Sequence, residues 1–459
     1  MRRAFWWLVA AHVLLVLAVL PLLLGTHLDG GVLIGDETSY VDAGRALSNA
    51  VRDAARLGPF DTRELQLSVV SSGWFMPGMG VVLTPLFVVD PDASVASVRL
   101  YLAVVTTVLL VVAALRVRTL LGDPYALALL VFPGLVPMWA VFSTGAWGDL
   151  AAGLVLAVLV AEVAAALRRV IDGEALALRD GVRIGLVAVA MLYLRSSTSI
   201  LAGALFVLLG LGVLVALRGA ARGRSVAAVV VGGVCFLAVL APWSIAASQT
   251  LGARVMTTTS VPTVLANTFG DRSQICFGPC DPGSTIWFTP LRYSREVARA
   301  TGLSEVEVQR QMSSYARRDV TLGSYLPDVA RNFRHYAIGP SAFSEFMRDP
   351  GTRLDPLRWA VVAGTALLYY PMLLVGIAVL VVVRRRPIGE QVLPVVLKVA
   401  LACLLVQPFV HQAGSRYWPT AAPLVSLGLV MFVLQAKTST WTWSRCSSTA
   451  RSPEPDGAE

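Results

Sequence analysis

Two adjacent carboxylates stand in the run Ile34-Gly35-Asp36-Glu37-Thr38-Ser39-Tyr40, just beyond the first strongly apolar stretch of the chain. A carboxylate at a low-dielectric boundary, within reach of a hydroxyl, does the work of a general base. Neighbouring acids in a solvated loop do none. Tyr40 follows one helical turn later, and Arg99, Asp149, Arg195 and the Arg416-Tyr417 pair each stand where an apolar stretch begins or ends. The roughly 11 residues between Arg183 and Arg195 rise only about 17 Å as helix. Arg195 therefore falls within the outer half of a bilayer, where an unpaired arginine costs on the order of 3 kcal/mol. A phosphate would satisfy it, and so would snorkelling to the interface. Arg416 offers a planar fork suited to bidentate phosphate contact, although Tyr417 and Trp418 equally mark an interfacial aromatic belt. Asp149 reads either as a site acid or as a helix-starting residue facing the macrodipole.

Metal chemistry has little to draw on. His411 with Asp36 or Glu37 could hold a divalent cation, but a lone histidine is more often structural. Cys276 and Cys280 bracket Phe277-Gly278-Pro279 without the further Cys or His ligands that zinc needs. A small disulfide on an oxidising face suits them, against two free thiols. Cys235 and Cys403 lie in apolar runs, where thiols act as small hydrophobes. No glycine-rich phosphate fingerprint is present, so a soluble nucleotide-sugar is not indicated.

The elements that must position these groups are membrane helices. Of 459 residues 56% are hydrophobic and 15% charged, whereas soluble domains carry about 25% charged residues. A soluble enzyme is excluded. The net charge of +9 sits where short connections meet the bilayer, which explains it without nucleic acid. A span needs about 20 apolar residues, and ten candidates are found: 5–25, 97–115, 125–142, 148–167, 183–200, 201–217, 225–246, 359–383, 391–410 and 418–436. With ten spans, Arg2-Arg3, Arg116 with Arg118, Arg168 to Arg183, Arg218 to Arg224, Arg384 to Arg386 and Lys437 all fall on one side. The positive-inside rule then puts both ends in the cytoplasm and the loops 26–96 and 247–357 outside.

Met76 to Val89 holds about 14 residues, or about 21 Å of helix, too short to span and interrupted by Pro77 and Pro85. It reads as a re-entrant or juxtamembrane part of the first outer loop. The basic start and long apolar run favour a retained first helix over a cleaved signal peptide. Residues 1–246 thus read as a membrane domain of spans 1 to 7, with the catalytic first outer loop at 26–96. Residues 247–357 form an outer segment with helix-like stretches at Ser304 to Arg318 and Tyr325 to His335. Residues 358–436 carry spans 8 to 10, and 437–459 a disordered cytoplasmic tail.

Further motifs complete a series: Gly73-Trp74-Phe75-Met76-Pro77-Gly78, the Ser143 to Asp149 loop, Ala241-Pro242-Trp243, and Ser415-Arg416-Tyr417-Trp418-Pro419 with Pro423. In this order the series resembles the GT-C glycosyltransferases that use polyprenyl-phosphate sugars, such as protein O-mannosyltransferases and lipid A aminoarabinose transferases. The resemblance covers residues 5 to 436 with motifs that are individually weak. It departs at Phe75-Met76-Pro77-Gly78, which keeps one proline and the glycine of that family's second motif but lacks its histidine. What it implies is an all-α polytopic fold with the large outer loop before the eighth span. Asp36 would take the acceptor hydroxyl's proton, and Glu37 would orient it or hold a metal. Tyr40, Arg99, Asp149, Arg195, Arg416 and Tyr417 would contact substrate.

The expected activity is transfer of a sugar from a polyprenyl-phosphate donor to a hydroxyl of a cell-envelope glycan, lipid or protein on the outer face of the cell membrane, with inversion. A lipid-linked substrate transporter or flippase, or a polysaccharide polymerase or ligase, are the rivals. Charges at the midplane of broken helices and repeated halves would mark the transporter. No clear repeat is seen.

Overall fold

The computed structural model describes residues 2–24, 33, 35–271, 288–338, 355–383, 386–411 and 418–448. Among them the structure is helical, with no strand. The amino-terminal apolar stretch forms α1 (Arg2–Val19) and, after a break at Pro21, the single turn α2 (Pro21–Leu24). The first loop is itself helical: α3 (Glu37–Ala55), the short α4 (Thr62–Leu65) running into a π-helical turn (Gln66–Val70), and α5 (Gly78–Val89). At 12 residues α5 is about 18 Å long and does not reach across a core of about 30 Å. It packs on α3 through small residues, since a Cβ on Gly44 would lie 2.9 Å from that of Leu83, and one on Gly80 2.9 Å from that of Ala43.

Next come α6 (Val95–Leu121), α7 (Asp123–Val131), α8 (Pro137–Ser143), α9 (Asp149–Ile171), α10 (Leu178–Leu194) and α11 (Ser199–Ala216). The chain continues through α12 (Gly219–Leu251), α13 (Val261–Phe269), α14 (Phe288–Thr301), α15 (Glu305–Ala316), α16 (Leu322–Ile338), α17 (Asp355–Val381), α18 (Ile388–Leu404) and α19 (Trp418–Ser448). Among the described residues seven helices are long and apolar enough to cross a membrane: Val95–Leu121, Asp149–Ile171, Ser196–Ala216, Gly219–Leu251, Asp355–Val381, Ile388–Phe409 and Trp418–Gln435. In α9 78% of the apolar window is buried and in the α19 span 67%, against 22–39% in the other five. The bundle is thus built round α9. Elsewhere apolar residues face outward in stripes: Val104, Val108 and Val112 down α6, and Val230, Val234 and Leu237 down α12, are each more than half exposed. Such faces are a liability in water and ordinary in lipid. The chain is a multi-pass membrane protein.

Three expected spans take a different form. The stretch 5–25 is a shorter apolar helix, because Pro21 removes a donor from the ladder. The stretch 125–142 is split into α7 and α8 around Pro133-Gly134. The backbone groups freed by this break find side chains: His12 Nδ1 lies 2.6 Å from the Gly134 carbonyl, and the Met138 amide donates to Thr365 at 2.9 Å. The expected span 183–200 starts earlier, at Leu178, and ends at Leu194, where the polar run Arg195 to Ser199 turns the chain. Thr198 donates to the Arg195 carbonyl at 2.7 Å, the kind of local bond that competes with a helix. Helices α10 and α12 cross closely on Gly181 and Gly185 against Ala228 and Gly232, where a Cβ on either α10 glycine would strike a backbone carbonyl of α12.

The polar interval 247–357 is occupied by helices. At 33 residues α12 is about 50 Å long and outruns a bilayer core. Trp243 then donates to the Thr257 carbonyl at 2.6 Å, and Ser244 and Ser248 bond to Val255, folding the chain back on α12. The stretch beginning at Ser304 is α15, its first turn capped by the Ser304 hydroxyl on the Glu307 amide at 3.2 Å. The stretch from Tyr325 lies within α16.

Candidate functional site

The two carboxylates of the Asp36-Glu37 pair part company at the start of α3. Glu37 is fully enclosed and ion-paired with Arg99 of α6, which is fully enclosed too. The fork is bidentate, with Arg99 Nη2 donating to Glu37 Oε2 at 2.8 Å, and Glu37 Oε1 also accepts the Ala146 amide at 2.8 Å. Arg99 reaches on towards the Thr144 carbonyl at 3.4 Å. One carboxylate therefore ties together α3, α6 and the loop between α8 and α9. Both members are fully enclosed, and the guanidinium expected to meet substrate is held by an internal carboxylate. The physical reason is the cost of a lone buried guanidinium, which the nearest buried carboxylate removes.

Asp36 takes the opposite course. It stands immediately before α3 and is partly exposed. Ser39, Tyr40 and Ala43, three, four and seven residues on, share its helical face. Those three line a cavity of about 650 Å³. Tyr40 meets Phe75 edge-on, with ring centroids 5.3 Å apart. The Gly73-to-Gly78 motif, with Trp74 and Phe75, forms another wall. Sequence reasoning missed two parts of the boundary. One is Ser71-Ser72, where Ser71 has φ 49°, a left-handed conformation costly for a residue with a Cβ. The other is α14, which supplies Arg295 and Arg299. The turn is held from the outer segment: Thr259 bonds the Gly73 and Ser72 carbonyls at 2.9 and 2.6 Å, and Arg295 Nη2 donates to the Ser72 hydroxyl at 2.7 Å. The Ser-Ser-Gly triplet is a turn signal and was available. The approach of α14 was not, because it depends on how a distant segment folds back.

Asp149 and Arg195 form a second ion pair, with side chains 1% and 12% exposed. Asp149 opens α9 and Arg195 closes α10, so the pair joins two helix ends. Asp149 sits at a helix amino-terminus, as one of its readings has it, and it also holds the arginine at the chain break. Gly148 and Gly78 allow the approach, since a Cβ on the first would strike the Leu194 carbonyl and one on the second the Tyr193 carbonyl. The start of α19 arrives at the same place, where Thr420 donates to the Asp149 carbonyl at 3.1 Å and Gly153 admits the Pro419 carbonyl. Asp36-Glu37, Gly78, Arg99, the 143–149 loop, Arg195 and Pro419, scattered over most of the chain, thus meet in one linked layer.

Arg416, Tyr417, Cys276 and Cys280 lie outside the described residues. His411 is half-buried after the turn that ends α18, with its amide on the Gln407 carbonyl at 2.8 Å. Among the described residues no group of three or more His, Cys, Asp and Glu side chains is placed to hold a metal ion, so Glu37 and His411 are not brought into one ligand set. At the opposite end of α9 a buried acid went unnoticed in the sequence. Glu162 accepts from Arg116 Nε at 2.6 Å and pairs with Arg183 at 2.9 Å, while Asp180 pairs with Arg183 and Arg169 at 3.1 and 3.0 Å. A lone acid in a long apolar run was the available signal. Comparison with protein-family models, with curated proteins and with solved structures finds no match to this chain.

Proposed function

We propose that this protein is a membrane glycosyltransferase of the GT-C kind, moving a sugar from a polyprenyl-phosphate donor to an acceptor hydroxyl, with inversion at the anomeric carbon. In this reading it has ten spans in the cell membrane, with 26–96 and 247–357 on the outer face. The acceptor is a cell-envelope glycan, lipid or protein. Asp36 takes the hydroxyl proton as the acceptor oxygen bonds to the anomeric carbon, and the bond from that carbon to the lipid phosphate oxygen breaks. The leaving phosphate needs electrostatic stabilisation more than a proton. Arg195, held in place by Asp149, and Arg416 are the groups assigned to it.

The observation that carries the proposal is the division of labour at the start of α3. Glu37 is consumed by Arg99 and Ala146 and pins the first turn. Asp36 is left partly exposed on the face that continues into a cavity. A base needs to be both accessible and fixed. Asp36→Asn is therefore expected to lower transfer in reconstituted membranes by about 10² to 10⁴, with donor binding unchanged. Near-normal turnover would return Asp36 to the status of a loop acid.

The chain breaks at Pro133-Gly134 and at Arg195 favour one rival, a transporter of lipid-linked substrate, because carriers build sites from broken helices. Here both breaks are filled. Gly78, Gly148 and the His12 ring close on them. Uptake or flipping of a labelled lipid-linked sugar by proteoliposomes, without transfer, would decide for the carrier.

A further inference from the structure

The cavity one helical turn along α3 from Asp36, lined by Ser39 and Tyr40 but not by Asp36 itself, has a composition that the transfer reaction alone does not specify. We infer that it receives the acceptor, and that this acceptor is a saccharide bearing a negatively charged group. The inference rests on the reading of Asp36 as the base, since the group losing its proton must lie beside it.

Three observations lead there. First, none of the cavity's lining residues belongs to any of the seven apolar helices; its walls are α3, the turn around Ser71 and α14. A donor with a polyprenyl tail needs a wall continuous with lipid, and among the described residues no apolar span lines this cavity, which suits a water-borne partner. Second, the walls combine aromatic rings with hydroxyls. Tyr40, Trp74 and Phe75 stand with Ser39, Ser68 and Ser72. Sugar rings present apolar C–H faces to aromatics and hydroxyls to short polar side chains, and this lining offers both kinds.

Third, the side formed by α14 sets two guanidiniums against one lining carboxylate, with Glu305 pairing Arg295. Arg295 is fixed by Ser72 at 2.7 Å and by both oxygens of Glu305 at 3.3 Å. Arg299, one turn further on the same face, is exposed and makes no hydrogen bond or ion pair among the described residues. Glu296 is the single acid in the lining. A guanidinium fork at the mouth of a sugar-like pocket is shaped for a carboxylate or phosphate oxygen pair.

The test is equilibrium dialysis of the full-length protein in nanodiscs against two probes, trigalacturonic acid and the neutral maltotriose. The acidic trimer is expected to bind at least tenfold more tightly. Arg299→Gln should bring it to the level of the neutral trimer, and Arg299→Lys should keep most of the difference. Equal binding of the two probes, or binding of neither, overturns the inference. So does displacement of the acidic trimer by polyprenyl phosphate placed in the nanodisc, which would make the cavity the donor's. Full displacement by equimolar inorganic phosphate would mark a plain anion site and reject the saccharide. Because dialysis needs no turnover, normal activity of Asp36→Asn would sink the catalytic reading while this binding result stood or fell separately.

Discussion

The two ends of α9 carry the same kinds of residue arranged to opposite effect. At its start Asp149 meets the single arginine Arg195, and close by Glu37 meets Arg99, in pairs 12% exposed or less. Towards its end Glu162 and Asp180 share Arg116, Arg169 and Arg183, whose side chains are 33–38% exposed. The first arrangement is dry and stoichiometric, the second wet and redundant. A dry pair gives little net stability but fixes geometry, because either partner alone would be an uncompensated buried charge. A wet cluster loses one member and lets water replace it. On the reading proposed above, geometry is what the first end needs, whereas the other end only has to anchor loops.

The largest expected effect follows from the driest pair. Arg99→Met should destabilise the protein by about 3–5 kcal/mol, seen as a drop in melting temperature in nanodiscs, and Arg99→Met with Glu37→Leu should recover most of the loss. If the double variant fell further than the single one, the pair would be a net source of stability and the contrast would fail.

Gly148→Ala comes next. The added methyl meets the Leu194 carbonyl, so the start of α9 must retreat from Arg195 at a cost of about 1–3 kcal/mol. Transfer activity should fall with it, which thermal scans and turnover on the same preparation will show.

At the wet end, Arg116→Gln leaves Glu162 with Arg183 and should cost no more than about 1 kcal/mol. A melting temperature lowered as far as in Arg99→Met would show that exposure is a poor guide here.

The smallest effect concerns Glu305, which pairs with Arg295 of the cavity wall. Burial pushes its carboxyl above the ordinary value of 4.5, against the pull of Arg295. A raised carboxyl favours the protonated form in the folded state, so its contribution to stability is full at low pH and is lost as pH rises through the raised value. Relative to Glu305→Gln, the native protein should therefore gain melting temperature as pH falls towards 4.5. A difference independent of pH would mean that Arg295 fully offsets the burial.

The amino-acid sequence by itself determined the solvent and the class of fold. Apolar runs of bilayer length separated by arginine-bearing connections admit only helices in lipid, because no water is present to satisfy an open backbone. It also singled out Glu37, Arg99, Asp149 and Arg195, which the fold brings into two ion pairs. It marked α5 as too short to span and placed α15 and α16.

Pairing was decided by the tertiary structure alone. Nothing in the spacing says that Glu37 would be enclosed with Arg99 while Asp36 stayed partly exposed, or that Arg195 would pair with Asp149. Charge burial is settled by whichever opposite charge the packing brings within reach, and that depends on glycines such as Gly78 and Gly148, whose lack of a side chain matters only once two backbones meet. The breaks at Pro133-Gly134 and Arg195 were hidden for a related reason. Hydropathy counts apolar residues, whereas a break is stabilised by a partner elsewhere, His12 or Thr365, that a local pattern does not contain.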